Sequence, residues 1–327
     1  MKQKVSGIQK VKAAGQRLKA QAAENGKVGG EQIALLRNSL LFGMTRHFWG
    51  NTAQADDSMI EAEADKEWLT VSQQLIQCPE YDALIQYQNK VYAWCCDHSM
   101  KSVLRKGVYF VKRDRIKLYD SVLTAARQEL RTRYLPAFLK VYDDYVEKAK
   151  APKEAGGLGK MFNPDNYYTK EELAGKFGIE WSIFALSIPN ELPSEIYERE
   201  NKKLRQSFVD AENEVRYVLR LEAKKLIAGL LERIHPASGD KKMFKENTTS
   251  AIRQFVTTFR DRDMTEDAEL GGLVDQLDGV LGKMPDAASL RDSSALRTEV
   301  AGQFAELNAA VSAMVVNKPT RHVISED

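Results

Sequence analysis

The stretch GGLGKMFNPDNYYTKEELAGKFGIEWSIFALSIPNELP, from Gly156 to Pro193, interrupts two very long helical patterns that fill the rest of residues 114–236. Upstream, from Asp114 to about Lys150, Tyr119, Leu123, Ala126, Leu130, Tyr134, Phe138, Val141 and Tyr145 recur at steps of three or four, the spacing of one helix face. Downstream, Leu204, Phe208, Ala211, Val215, Leu219, Leu226, Leu230 and Ile234 mark a second stripe, on a helix that starts at Ser194 and ends before Pro236. Each helix would span roughly 55–65 Å at ~1.5 Å per residue. Neither can bury its stripe alone, so the pair is expected to pack as an antiparallel hairpin. Pro136 lies inside the first helix and predicts a kink, because proline lacks a backbone donor and crowds the preceding turn.

The interrupting segment concentrates aromatic and turn residues as a folded head does and a linker does not. Thr169-Lys-Glu-Glu172 is a capping box that opens a short helix ending near Gly178. Trp181–Ile188 then alternates large apolar with small polar side chains and reads as a strand. Gly107–Val111 (GVYFV), β-branched and aromatic, reads as another. Together they would form a small two-stranded β element, marginal unless it leans on helices.

Elsewhere the pattern is helical. Val5, Ile8, Val11 and Leu18 share a face opposite lysines before Gly26, Gly29 and Gly30 break the run. Further helices are expected over Glu31–Leu41, Met59–Gln77 and Glu80–Asp97, the last with Pro79 in its first turn. Three more follow over about Lys245–Arg262, Ala268–Lys283 and Ser289–Val315, before a disordered tail at Asn317–Asp327. The organisation is therefore a basic arm (1–30), a helical region ending in a strand (31–113), the hairpin (114–236) with its aromatic insert (156–193), C-terminal helices (237–316) and the tail (317–327). The fold class is mainly α: an elongated antiparallel helical hairpin or bundle with a small two-stranded β element and a short helical insert at one end.

With 43% hydrophobic and 29% charged residues in 327, the chain has the balance of a soluble helix-rich protein. Its three cysteines, Cys78, Cys95 and Cys96, are too few and too clustered for a disulfide framework and suit reduced thiols in the cytoplasm. No apolar run approaches the ~20 residues of a membrane span, and the N-terminus has charge without an apolar signal core. Net charge is only +2, yet residues 2–27 carry seven bases against one acid, while from Met264 onward eleven acids face five bases.

Motifs with chemistry are few. GGLGK falls short of a phosphate loop: Glu154 stands where the first glycine belongs, Met161 replaces the hydroxyl, and a helix precedes it. Cys95, Cys96 and His98 are the one local cluster of metal-ligand types, but no second pair has zinc-site spacing. Asp143-Asp144 point apart on a helix and read as a solvated face. No nucleophile elbow or Cys/His pair emerges. The expectation is a non-enzyme with no cofactor and no metal.

Two surfaces remain as binding candidates. Phe162, Tyr167, Tyr168, Trp181 and Phe184 would form an aromatic head that contacts a protein partner or folds against the hairpin tip. The alternative is nucleic-acid binding through the basic arm, Lys2, Lys4, Lys10, Lys12, Arg17 and Lys19, with Arg105, Lys106, Lys112 and Arg113 flanking GVYFV.

Three stretches, LIQCPEYDALIQYQNKVYAWCCDHSMKSVLRKGVYFVKR (75–113), FNPDNYYTKEELAGKFGIEWSIFALSIP (162–189) and FRDRDMTEDAELGGLVDQLDGVL (259–281), resemble in content and order a bacterial and phage domain family of unknown function. That family is similar in genomic setting to partners of MoxR-type AAA+ ATPases and of proteins with von Willebrand factor A domains. The resemblance implies an accessory or adaptor component of such an assembly, with no catalytic residues to carry over; independently, the opposed charge of the termini could guide docking or self-association.

Overall fold

The computed structural model describes residues 33–55, 70–234, 249–284, 289–290 and 293–315. The basic arm, most of the expected Met59–Gln77 helix and the tail lie outside the described residues.

Helices dominate, as the periodicity requires. α1 (Ala34–Asn38) leads into β1 (Ser39–His47), followed by a short ribbon of β2 (Thr52–Gln54) and β3 (Ser72–Gln74). α2 (Pro79–Asp97) has its proline in the first turn, as expected. β4 (Met100–Lys101) and β5 (Val108–Lys112) precede α3 (Ile116–Glu129) and α4 (Leu135–Lys150). The insert supplies α5 (Lys170–Ala174) and β6 (Gly178–Phe184). Then come α6 (Ser194–Ile234), α7 (Ser250–Arg262), α8 (Ala268–Lys283) and α9 (Ser294–Met314).

Several expectations need correction. The Glu31–Leu41 helix shrinks to α1, because Ser39 onward is extended and becomes the sheet's central strand. Residues 72–74 are strand, not the end of an acidic helix. The insert strand begins at Gly178 and stops at Phe184 rather than covering Trp181–Ile188. The β element is larger than two strands: an antiparallel sheet ordered β4-β5-β1-β6, with Leu41 opposite both Phe110 and Phe184.

The antiparallel hairpin is likewise not how the long helices meet, for their stripes line different clusters. Phe208, Ala211, Val215, Leu219, Ala223 and Ile227 of α6 pack with α7, α8 and α9 on one side of the sheet. Tyr119, Leu123 and Ala126 of α3 and Phe138 and Tyr142 of α4 pack with α2 on the other. Strand alternation explains the division. Leu41, Val108 and Phe110 face the first cluster, and Phe42, Val111 and Ile179 face the second. The sheet is a partition between two helical layers, and its strands come from both sides of the expected boundary at residue 113.

Pro136 has the expected local consequence. Residues Leu130–Tyr134 form a π turn between α3 and α4, which takes up the missing donor upstream of the proline. The wider turn also shifts which residues lie deepest. Leu135, Phe138, Tyr142 and Ala149 are the buried residues of α4; of the expected stripe Phe138 keeps its place, while Tyr134, Val141 and Tyr145 pack only partly buried at the margin of the same cluster.

Two polar ties complete the frame. Asp261 of α7 accepts His98 Nδ1 at 2.8 Å, and its other oxygen lies 2.7 Å from Arg115 Nε, so one carboxylate of the aliphatic layer holds two residues of the aromatic layer. The loop from Asp263 to Asp267 is gripped by Arg220, which meets Asp267 through two bonds of 2.7 and 2.8 Å, and by Arg216 on the Thr265 carbonyl. Asp267 also caps α8 by accepting the Leu270 N–H.

Candidate functional site

The capping box holds as the sequence requires: Thr169 accepts from the Glu172 N–H, and Glu172 reaches back to the Thr169 N–H. These bonds hold the Glu172 carboxyl below the usual carboxylate range, with the Thr169 N–H as the main cause. Upstream, Gly156 and Gly159 take left-handed backbone, and a Cβ on Gly157 would lie 2.0 Å from the Ala151 carbonyl oxygen. The GGLGK glycines are therefore needed for a tight return of the chain against the end of α4.

The five aromatics of the expected head do not form one patch. Phe162 stacks on Tyr167 at 4.9 Å between centroids, and Tyr167 donates to the Leu75 carbonyl at 2.8 Å. Trp181 leans on α3, donating to Asp120 at 3.2 Å beneath the Arg127 guanidinium, 4.1 Å from its ring. Phe184, three residues on, turns to the opposite cluster. Tyr168 stays exposed, with the Lys176 ammonium 4.5 Å from its ring centre. Most of the head is thus packing.

What the insert leaves to water is aliphatic. Ile183, Leu186 and Ile196 are among the exposed large apolar residues, together with Tyr168, and lie in sequence along β6, the irregular connection 185–193 with its turn at 190–191, and the start of α6. β6 ends the sheet order, so its outer edge pairs with no strand among the described residues. Arg127 Nε donates to the Ile179 carbonyl and blunts one end of that edge. Sequence reasoning picked out the rings of this segment and missed its aliphatic residues, which carry no signal until the strand's position is known.

The basic residues near GVYFV scatter. Arg105 and Lys106 are exposed on the β4–β5 turn, Lys112 donates to the Arg260 carbonyl, and Arg113 is exposed at the turn before α3. Lys2, Lys4, Lys10, Lys12, Arg17 and Lys19 lie outside the described residues.

Cys95, Cys96 and His98 diverge. Cys95 is buried, and burial pushes its thiol up to about 12. Cys96 donates to Tyr109 Oη at 3.6 Å, and Tyr109 in turn meets Tyr92. His98 stacks on Trp94 and turns to Asp261. Among the described residues no group of three His, Cys, Asp or Glu side chains is placed to hold a metal ion, and no helix is long and apolar enough to cross a membrane.

Compared with protein-family models, with curated proteins and with solved structures, the chain matches none.

Proposed function

We propose that the protein is a non-enzymatic helical scaffold that works by holding a protein partner, in the cytoplasm. The observation that supports this reading is exposed Ile183 on the open edge strand, with exposed Leu186 just beyond its end. Exposed apolar residues next to unpaired backbone suit a partner segment that adds main-chain bonds and seats alternate side chains. The three motifs of the resemblance extend the proposal to the partner's class, a MoxR-type AAA+ ATPase or a von Willebrand factor A protein. The proposed assembly keeps the two helical layers as support and presents the insert.

The test is an affinity pull-down of the tagged full chain from its native cells, with nuclease and ATP as variables. A stoichiometric ATPase or von Willebrand factor A protein is expected to survive nuclease. It should be lost from an Ile183→Glu/Leu186→Glu variant whose thermal unfolding matches the parent, because exposed substitutions move stability by about 0.5 kcal/mol or less. Recovery only of nuclease-sensitive material would reject this reading in favour of the basic arm and nucleic acid.

A further inference from the structure

A cleft of about 700 Å³ opens between the β4–β5 hairpin, the end of α2 and the middle of α6. That volume lies in the range of small-molecule sites. Its wall is apolar, formed by Met100, Val103, Val215 and Val218. Met100 and Val215 are sealed in the core, while Val218 is 40% exposed, a large apolar side chain left to water inside a concavity.

The lining charges are unequal. Lys101, Lys106 and Arg262 face one carboxylate, Glu214. Arg262 is already neutralised, gripping Glu222 through two nitrogens and reaching Met100 Sδ with its third. Lys101 and Lys106 make no ion pair with a described residue. Lys106 sits on a turn that is held in place: Ser102 donates its N–H to the Val108 carbonyl at 2.9 Å, and Gly107 supplies the left-handed backbone the return needs. The Tyr109 and Cys96 side chains add weaker polar groups on the same wall.

We propose that this cleft binds a small amphipathic anion: a carboxylate or phosphate monoester at Lys101 and Lys106, with an apolar body laid along Val103, Val215 and Val218. An anionic head group gains charge-assisted contacts with the two exposed ammonium groups that a neutral one would not, and a purely ionic ligand would leave Val218 wet. The site is independent of the β6 edge and stands or falls without it.

Cys96 reports on occupancy, because it lines the cleft and is half-buried. Cys78 and Cys95 are buried, with thiols pushed up to about 11 and about 12 by that burial, so neither competes for an alkylating reagent. The experiment is the rate of Cys96 alkylation by iodoacetamide in the full chain, with decanoate, decyl phosphate or decanol added below micellar concentrations. Slowing by decanoate or by decyl phosphate is expected, and which one acts at lower concentration identifies the head group. Lys101→Ala/Lys106→Ala should raise the concentration needed about tenfold, the loss of a charge-assisted contact. Val218→Asp, at an exposed position, should do the same. No slowing by either anion, equal slowing by decanol, or slowing unchanged in the lysine variant would each overturn the proposal.

Discussion

On one face of the sheet, Trp49, Tyr81, Phe138, Tyr142 and Phe177 meet edge to face at centroid distances of 5.5–6.3 Å. On the other, α6, α8 and α9 bury Leu219, Ala223, Ile227, Leu270, Leu277 and Val311 with few rings among them. Both layers exclude water, but ring pairs prefer particular angles and add about 0.5–1.5 kcal/mol each beyond their area. The aromatic layer also ties its rings to backbone, as when Tyr81 donates to the Trp49 carbonyl at 2.6 Å. Its geometry is therefore more tightly specified than that of the aliphatic layer, where Leu and Val exchange volume at less cost.

The strongest way to break this comparison is Phe138→Ala. The ring is fully buried and touches Tyr81, Tyr142 and Phe177, so the loss should be about 3–5 kcal/mol in chemical denaturation. Leu219→Ala offers the sharper contrast. Trp49, Trp94 and Trp181 all belong to the aromatic side, and Trp68 lies outside the described residues, so in a Trp68→Phe background tryptophan fluorescence follows that layer. If the shared sheet couples the layers, Leu219→Ala must shift the fluorescence transition as far as the far-ultraviolet circular dichroism transition. A fluorescence curve that stays put would mean two separately melting units.

Next in size is Asp267→Asn, expected to cost about 3 kcal/mol near neutral pH because it uncouples Arg220 from a nearly sealed carboxylate, 3% exposed. Burial pushes that carboxyl up, but the hydrogen bonds from Arg220 and Leu270 and the nearby guanidinium charge outweigh it and leave it lowered. A lowered carboxyl contributes stability that is complete above its unfolded value near ~3.9 and is lost as pH falls through the folded one. Urea titrations should therefore show the gap between parent and variant closing below about pH 4. A gap that persists or widens there would contradict the pairing. Asp261→Ala, at the tie between layers, should cost less, about 1–3 kcal/mol, since Arg115 is 44% exposed and regains water. Earlier separation of the two spectroscopic transitions in this variant would show that the tie helps couple the layers.

The sequence was legible where local rules decide. α8 spans Ala268–Lys283, the range expected, and Thr169–Glu172 forms its box. α6 begins at Ser194 as expected and is helical to Ile234, the last residue described before 249. Legibility failed where the deciding contact is remote. Ser39–His47 is a strand because β5 and β6 flank it, though Leu35 to Leu41 also suits a helix. The hairpin expectation failed for the same reason: two long stripes each need a partner, and nothing in their spacing says that a sheet will stand between them. At the cleft, Lys106 was noted beside GVYFV, whereas Val215 and Val218 lie more than a hundred residues on, within a helix whose stripe hid their role.

The smallest effect tests the looseness of the aliphatic layer directly. α2, α3 and α4 contain no glycine, whereas α8 and α9 carry Gly271, Gly272, Gly279, Gly282 and Gly302. A Cβ built on Gly279 or on Gly302 meets nothing within 4 Å, and both lie on exposed helix faces without positive φ. Alanine there removes unfolded-state freedom without crowding the native state, so each substitution should add about 0.4–1 kcal/mol. If the layers unfold together, the gain must appear equally in tryptophan fluorescence on the far side of the sheet. A gain confined to the helical signal would place the glycines in a subunit of the fold that opens on its own, and a loss would mean that the α8 and α9 surfaces need the close approach glycine allows.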